Sequence, residues 1–225
     1  MRVAVSPFYG LSFAAGCVDA ISFVGFGGVF TANMTGNTVL LGIAIASRLG
    51  VVPRTLGIVP PLVAIAAFVV GAIAALPVLR AQFELRRAAR IVLAEAVLVG
   101  LASLAFDGLR NDFVIPLCIV LVSFAMGAQS IVAAKAGLPG ISTTYVTGTL
   151  VTAVTKGLFA GSDDLGRRQA ARAARTWVVY LAGAALGGLL FIGFHRAALW
   201  PAVAVFVANA GWLACSVPST SSSKA

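Results

Sequence analysis

Charge is scarce in this chain. Asp, Glu, Lys and Arg together make up 10% of its 225 residues, against about a quarter in an ordinary soluble domain. The polar helix faces that a water-soluble bundle needs are missing between Val51 and Leu79, and their absence argues against that class. Histidine is scarcer still: the single copy, His195, sits beside Arg196 between two apolar runs. No HExxH, P-loop, nucleophile elbow or paired His/Cys cluster occurs, so hydrolytic and metal chemistry lack their usual residues. Neither an enzyme nor a resident cofactor or metal is expected. Three cysteines, Cys17, Cys118 and Cys215, lie far apart in apolar segments without a CxxC spacing. They read as small buried apolar residues rather than a disulfide framework.

Apolar residues, by contrast, make up 60% of the chain, and mean hydropathy is +1.02. They gather in runs of bilayer length, at about 9–27, 55–79, 91–107, 113–134, 176–194 and 197–216. Two shorter helical stretches, about 34–48 and 145–159, follow the breaks Gly25-Phe26-Gly27-Gly28 and Gly137-Leu138-Pro139-Gly140, which end one helix and re-aim the next. The 16 basic residues outnumber seven acidic ones, yet a nucleic-acid surface is not implied. Half of them fall in two short loops, as Arg80, Arg86, Arg87 and Arg90 and then Arg167, Arg168, Arg172 and Arg175, without interleaved aromatics. Cytoplasmic loops of membrane proteins have this character. Ala14-Ala15-Gly16-Cys17 is loosely like a lipoprotein cleavage site, but the leading large aliphatic is absent, so a structural segment is expected there.

The chain also repeats itself. Ser12-Phe13-Ala14 and Gly16 match Ser123-Phe124-Ala125 and Gly127 at an offset of 111. After one inserted residue, Gly28, Thr31, Thr35 and Gly36 match Gly140, Thr143, Thr147 and Gly148 at 112, as Gly71 matches Gly183. Such an ordered set reads as duplication, with one membrane repeat over 1–108, a second over 109–216, and a Ser-rich tail at 217–225 expected to be disordered. If the short helices cross fully, each half has four spans and the repeats are parallel; if they only dip in, each has three and the repeats are inverted. Placing both Arg clusters on the cytoplasmic side requires the second model. The expected fold is therefore all-α: about six transmembrane helices plus two short re-entrant helices, with both termini cytoplasmic. Gly71-x-x-x-Ala75 and Gly183-x-x-x-Gly187 are small-residue faces for close packing, expected between the halves rather than between copies. A homo-oligomer stays open.

Thr35-Gly36-Asn37 and Thr147-Gly148-Thr149 open the short helices. A helix start inside a bilayer must face protein or a wet cavity, and its N–H groups favour anions. One reading is a pair of half-helices meeting at a solute site, with Thr31, Asn33, Gln129 and Thr143 contributing; the other is a capped break that only lets helices pack. Asp19 and Glu95 are the ionisable groups placed within spans, and such groups commonly face a cavity, a partner or a proton path. Glu95, five residues from Arg90, could instead be solvated at the interface. Lys135, Lys156 and Trp177, Trp200 and Trp212 fit the snorkelling cations and aromatic belts of membrane interfaces.

The stretches Gly16-Cys17-Val18-Asp19-Ala20 and Gly27-Gly28-Val29-Phe30-Thr31-Ala32-Asn33-Met34-Thr35-Gly36-Asn37-Thr38 carry a resemblance to the YoaK family, small bacterial inner-membrane proteins classed as a domain of unknown function. The likeness extends over roughly 8–215. It implies a bacterial plasma-membrane setting and supplies no substrate. The functional expectation is a small-solute transporter or channel-like protein, with the bilayer and a small solute or ion as its partners and its pathway between the two repeats. The alternative is a non-transporting membrane scaffold or accessory subunit.

Overall fold

The computed structural model describes residues 4–49, 57–79, 83–108, 112–144, 146–159 and 163–216; the tail 217–225 lies outside them. Among the described residues, eight α-helices run in chain order: α1 (Ser6–Gly25), α2 (Met34–Arg48), α3 (Val59–Ala75), α4 (Leu85–Gly108), α5 (Val114–Ala136), α6 (Val146–Phe159), α7 (Asp164–Phe194) and α8 (Trp200–Cys215). Short 3₁₀ turns at Pro77–Leu79 and His195–Leu199 follow α3 and precede α8. Prolines in the first turn of α1, α3 and α8 preset the helical φ where no intrahelical donor is lost. At the far end of α5, Gly137 takes φ +60, the left-handed conformation that closes helices and that glycine adopts without strain.

Six helices are long and apolar enough to cross a membrane: Ser6–Gly25, Val59–Leu79, Leu85–Phe106, Val114–Ala136, Asp164–Phe194 and Ala197–Cys215. The 15 residues of α2 and 14 of α6 reach only about 21–22 Å at 1.5 Å per residue, short of a hydrocarbon core of about 30 Å. Many large apolar side chains, including Val69, Val70, Leu101, Leu104, Val178 and Leu189, point outward, as lipid-facing surfaces require. The chain is a multi-pass membrane protein.

Helices α1 and α5 are the most buried and form the centre. Around them, α1 packs on α7 and α8, α5 on α3 and α4, and α4 on α8; α2 lies on α3 and α6 on α7. The C-terminal ends of α1, α4 and α7 share one end of the bundle. Phe26 meets Phe106 edge-on at 5.3 Å between ring centroids, and Gly25 abuts the rings of Phe191 and Phe106. At the opposite end, the start of α4 and the end of α8 form one groove of about 680 Å³, with Arg86 and Arg90 on one wall and Ala210 and Ala214 on the other. Helices α4 and α8 therefore run antiparallel.

Backbone contact sets the tightest crossings. A Cβ on Gly16 would overlap the carbonyl of Tyr180, and one on Gly183 that of Phe13. A Cβ on Gly127 would overlap the carbonyl of Phe68, and one on Gly71 that of Phe124. Gly71 thus packs α3 on α5 while Gly183 and Gly187 pack α7 on α1, each seam joining one half of the chain to the other. With lipid outside, such contacts gain dispersion and Cα–H···O interactions rather than hydrophobic burial.

Three sequence expectations are corrected. Arg167, Arg168, Arg172 and Arg175 lie on the first turns of α7, and Arg86, Arg87 and Arg90 on α4, rather than in loops; Arg80 lies outside the described residues. Asp163 starts α7 early because its carboxylate accepts from the N–H groups of Leu165 and Gly166, at 3.0 and 3.1 Å, the classical helix-start bond. Cys17 and Cys118 are buried as expected, but Cys215 is exposed at the end of α8.

Gly183→Val and Gly71→Val should each destabilise the protein by about 1–3 kcal/mol or more, as overpacking does. Gly188→Val, whose Cβ enters open space, should be tolerated. Thermal unfolding in detergent measures all three.

Candidate functional site

The site builds from a turn. After α1 ends at Gly25, Gly27 and Gly28 take φ +82 and +79 and send the chain back alongside the helix it has just left. Phe30 stacks on Phe23 at 4.8 Å. Three residues then place consecutive backbone N–H groups around one acceptor. Thr31, Ala32 and Asn33 donate to Oδ1 of Asp19 at 2.9, 2.7 and 3.3 Å. The other oxygen, Oδ2, accepts from the Tyr180 hydroxyl of α7. Thr31 Oγ1 reaches Ser22 Oγ at 3.2 Å. Asp19 is 2% exposed and its carboxylate takes four donors from within the chain.

Asp19 sits six residues before the end of α1, about 9 Å down the helix axis. The N-terminus of α2, at Met34, follows directly from the segment bonded to Asp19. Asn33, not Thr35, caps it: Asn33 Oδ1 accepts from Gly36 N–H at 3.1 Å. Thr35 is exposed on the first turn. Asn37 binds back across the turn, accepting from Phe30 N–H at 2.9 Å and donating to Phe30 O at 2.6 Å. Asp19, Thr31, Asn33, Gly36 and Asn37 are thus brought together as one hydrogen-bonded turn.

The second helix start is built differently. Ser130 Oγ and Thr144 Oγ1 lie 2.8 Å apart, and Thr149 Oγ1 donates to Val146 O at 2.6 Å. Thr143 is buried with its hydroxyl unpartnered, while Thr147 is exposed; Tyr145 lies outside the described residues. A cavity of about 180 Å³ opens here, bordered by Gly140, Ile141, Ser142, Gly148, Thr149 and Thr152. The two short helices are not each other's principal packing partners, α2 lying on α3 and α6 on α7. Gln129, buried on α5, donates through Nε2 to Leu11 O of α1 at 3.3 Å and leaves Oε1 unpartnered.

Glu95 is the other buried acid and the opposite case. It is 1% exposed, and neither carboxylate oxygen has a hydrogen-bond partner among the described residues. Solvation at the interface therefore does not describe it. It borders a cavity of about 130 Å³ walled by α3 (Gly71, Ala75), α4 (Ile91) and α5 (Phe124, Ala128). In the sequence, proximity to Arg90 left open that Glu95 is solvated at the interface. Tyr180, a lone tyrosine 161 residues from Asp19, carries no local signal there and was not among the expected site residues.

The family model described as "Protein of unknown function (DUF1275)" matches residues 8–212. The chain is also similar to the UPF0700 transmembrane protein YoaK of Bacillus subtilis (strain 168), with 34% identity over 205 residues, covering 87% of this chain and 88% of that protein. No solved structure matches. The chain belongs to the DUF1275 family.

Asp19→Ala, which orphans three N–H groups and a phenol at about 1–3 kcal/mol each, should destabilise the fold by about 3 kcal/mol or more. Asp19→Asn, which keeps an acceptor for the turn, should lose less, and Tyr180→Phe about 1–2 kcal/mol. Thermal unfolding of the three variants in detergent checks the order.

Proposed function

We propose that this DUF1275 protein is a small-solute transporter or channel-like membrane protein, non-enzymatic, with its pathway at the interface of two inverted three-span repeats. The observation that carries the reading is the exchange symmetry of the packing. Swapping halves turns α1 on α7 into α5 on α3, α4 on α5 into α8 on α1, and α2 on α3 into α6 on α7. The glycine contacts follow at residue level: Gly16 on Tyr180 becomes Gly127 on Phe68, and Gly183 on Phe13 becomes Gly71 on Phe124, with the offsets of 111 and 112 read from sequence. Inverted repeats of this kind recur in transporters, which move one bundle against the other around a central site.

The number of crossings supports inversion. The ends of α1 and α4 meet through Phe26 and Phe106, and α3 and α4 both span the membrane between them. Returning to the same side leaves α2 as a helix that dips in and out. Both Arg-rich helix starts then face the cytoplasm, as do both termini, in agreement with the positive-inside rule. The setting is the bacterial plasma membrane. Within this scheme Asp19 positions the first re-entrant turn, and Gly148 and Thr149 border the solute cavity at the second. The scaffold alternative draws on the complete internal pairing of Asp19; the unpartnered acid at a cavity, Glu95, favours transport.

Purified protein in liposomes should give solute-dependent currents or swelling, under a pH gradient, for at least one class in a panel of small ions and neutral solutes. Fluxes equal to those of empty liposomes across the panel would leave the scaffold reading. Cysteines at positions 86 and 168 should label from one and the same face of the membrane; labelling from opposite faces would remove the inverted topology.

A further inference from the structure

Two cavities meet beside α4. The inner one, about 130 Å³, holds Glu95. The outer one, about 360 Å³, is bordered by Arg87 and Arg90 at the charged start of the helix. Val78, Ile91 and Ala94 line both, so the inner space is separated from the outer by no more than the side chains they share. Five residues of helix, about 7.5 Å, separate Arg90 from Glu95. The walls mix small residues, Gly71 and Ala75 of α3 and Ala128 of α5, with larger ones, Ile91 and Leu98 of α4 and Phe124 of α5.

We infer that Glu95 is an intramembrane proton-binding site, loaded through this gap between α3 and α4 from the end of the bundle that carries Arg87 and Arg90. An unpaired carboxylate in an apolar interior is costly, and binding a proton removes that cost. On loading, hydronium gives its proton to a Glu95 oxygen and leaves water; on release the same O–H bond breaks toward water. The inner space has room for a few water molecules to carry the transfer.

The surroundings select a proton over a metal cation. Hard cations take six or more oxygen ligands, whereas the inner cavity is otherwise lined by Gly, Ala, Val, Ile, Leu and Phe side chains. Of the elements packed on α4, α3 carries no titratable side chain, α5 only Cys118 and the exposed Lys135, and α8 only Cys215. The turn His195–Leu199 carries His195 and Arg196, at the Phe106 end of α4, away from the Arg87 and Arg90 end. Cys118 is turned to Ala102 O, two helical turns beyond Glu95. The charged groups on the approach are Arg87, paired with Glu84 at 2.9 Å, and Arg90, which has no ion-pair partner among the described residues.

This inference deepens the transport reading and rests on it for its purpose, but its test does not require transport. Infrared difference spectra of the full-length protein in lipid, recorded across a pH titration, should contain the carbonyl band of a protonated carboxylic acid. That band should be lost in Glu95→Gln and kept in Asp19→Asn. A band that survives Glu95→Gln overturns the assignment, and so does its absence from the wild type at every pH. Glu95→Gln removes a buried charge and keeps the shape, and its unfolding temperature confirms that it folds. As a second measurement, Glu95→Cys, with the three native cysteines replaced by alanine, should react with a small methanethiosulfonate only from the face bearing Arg87 and Arg90. Reaction only from the opposite face, or from neither, overturns the route. Titration of Glu95 without any solute flux would remove the transport reading alone.

Discussion

The fold depends on one constraint: a chain that turns back in an apolar interior must satisfy its buried backbone N–H groups from within. Asp19 meets it at the first turn. One carboxylate oxygen gathers the N–H groups of Thr31, Ala32 and Asn33, and the other takes the Tyr180 hydroxyl. A neutral acceptor would serve the same geometry, but bonds to a charged acceptor are stronger, and three donors converging on one oxygen form a nest suited to an anion. The acid fixes α1, the start of α2 and α7 relative to one another.

The second turn meets the same constraint with different means. On the proposed repeat, the positions equivalent to Asp19 and Tyr180 are Ser130 and Phe68, and Ser130 bonds the Thr144 hydroxyl. Thr31 reaches Ser22; its proposed counterpart Thr143 leaves its hydroxyl unpartnered, and the counterpart of Ser22 is Ala133. On the repeat reading the glycine seams are kept in both halves while the turns have diverged. Seams between backbones tolerate no added atom, so drift there is blocked. A turn can exchange a carboxylate for hydroxyls and acquire a cavity, which is how the second turn differs.

Much of this was legible in the sequence because membranes enforce simple patterns. Six apolar runs became six long helices with ends displaced by a few residues, except that α7 begins at Asp164 rather than near 176, since bilayer thickness sets length. The small-residue faces at Gly71 and Gly183 lie on packed seams, since only glycine permits such approach. What stayed hidden was long-range or geometric. The Arg stretch at 167–175 looked like a loop because charge and helix propensity point to different conclusions there; arginine is a good helix former, and Asp163 supplies the cap. Thr35 looked like the cap of α2 because Thr and Asn are both good caps; only the turn geometry selects Asn33. The pairing of Asp19 with Tyr180 spans most of the chain, and nothing at either residue announces it.

The two buried acids show why position in a span is a weak guide to role. Both lie inside helices, and both are almost completely buried. Asp19 has four donors and ties the turn that supplies three of them to α1 and α7. Glu95 has no donor, sits against small residues, and borders space that continues toward the charged end of its helix. An acid with donors on both oxygens is held in one state by its surroundings, whereas an acid with no donor can change state without breaking a bond to the protein. A coupling site must alternate between two states at modest cost. Of the two, Glu95 meets that requirement, and Asp19 meets the opposite one of keeping the turn before α2 in a single conformation.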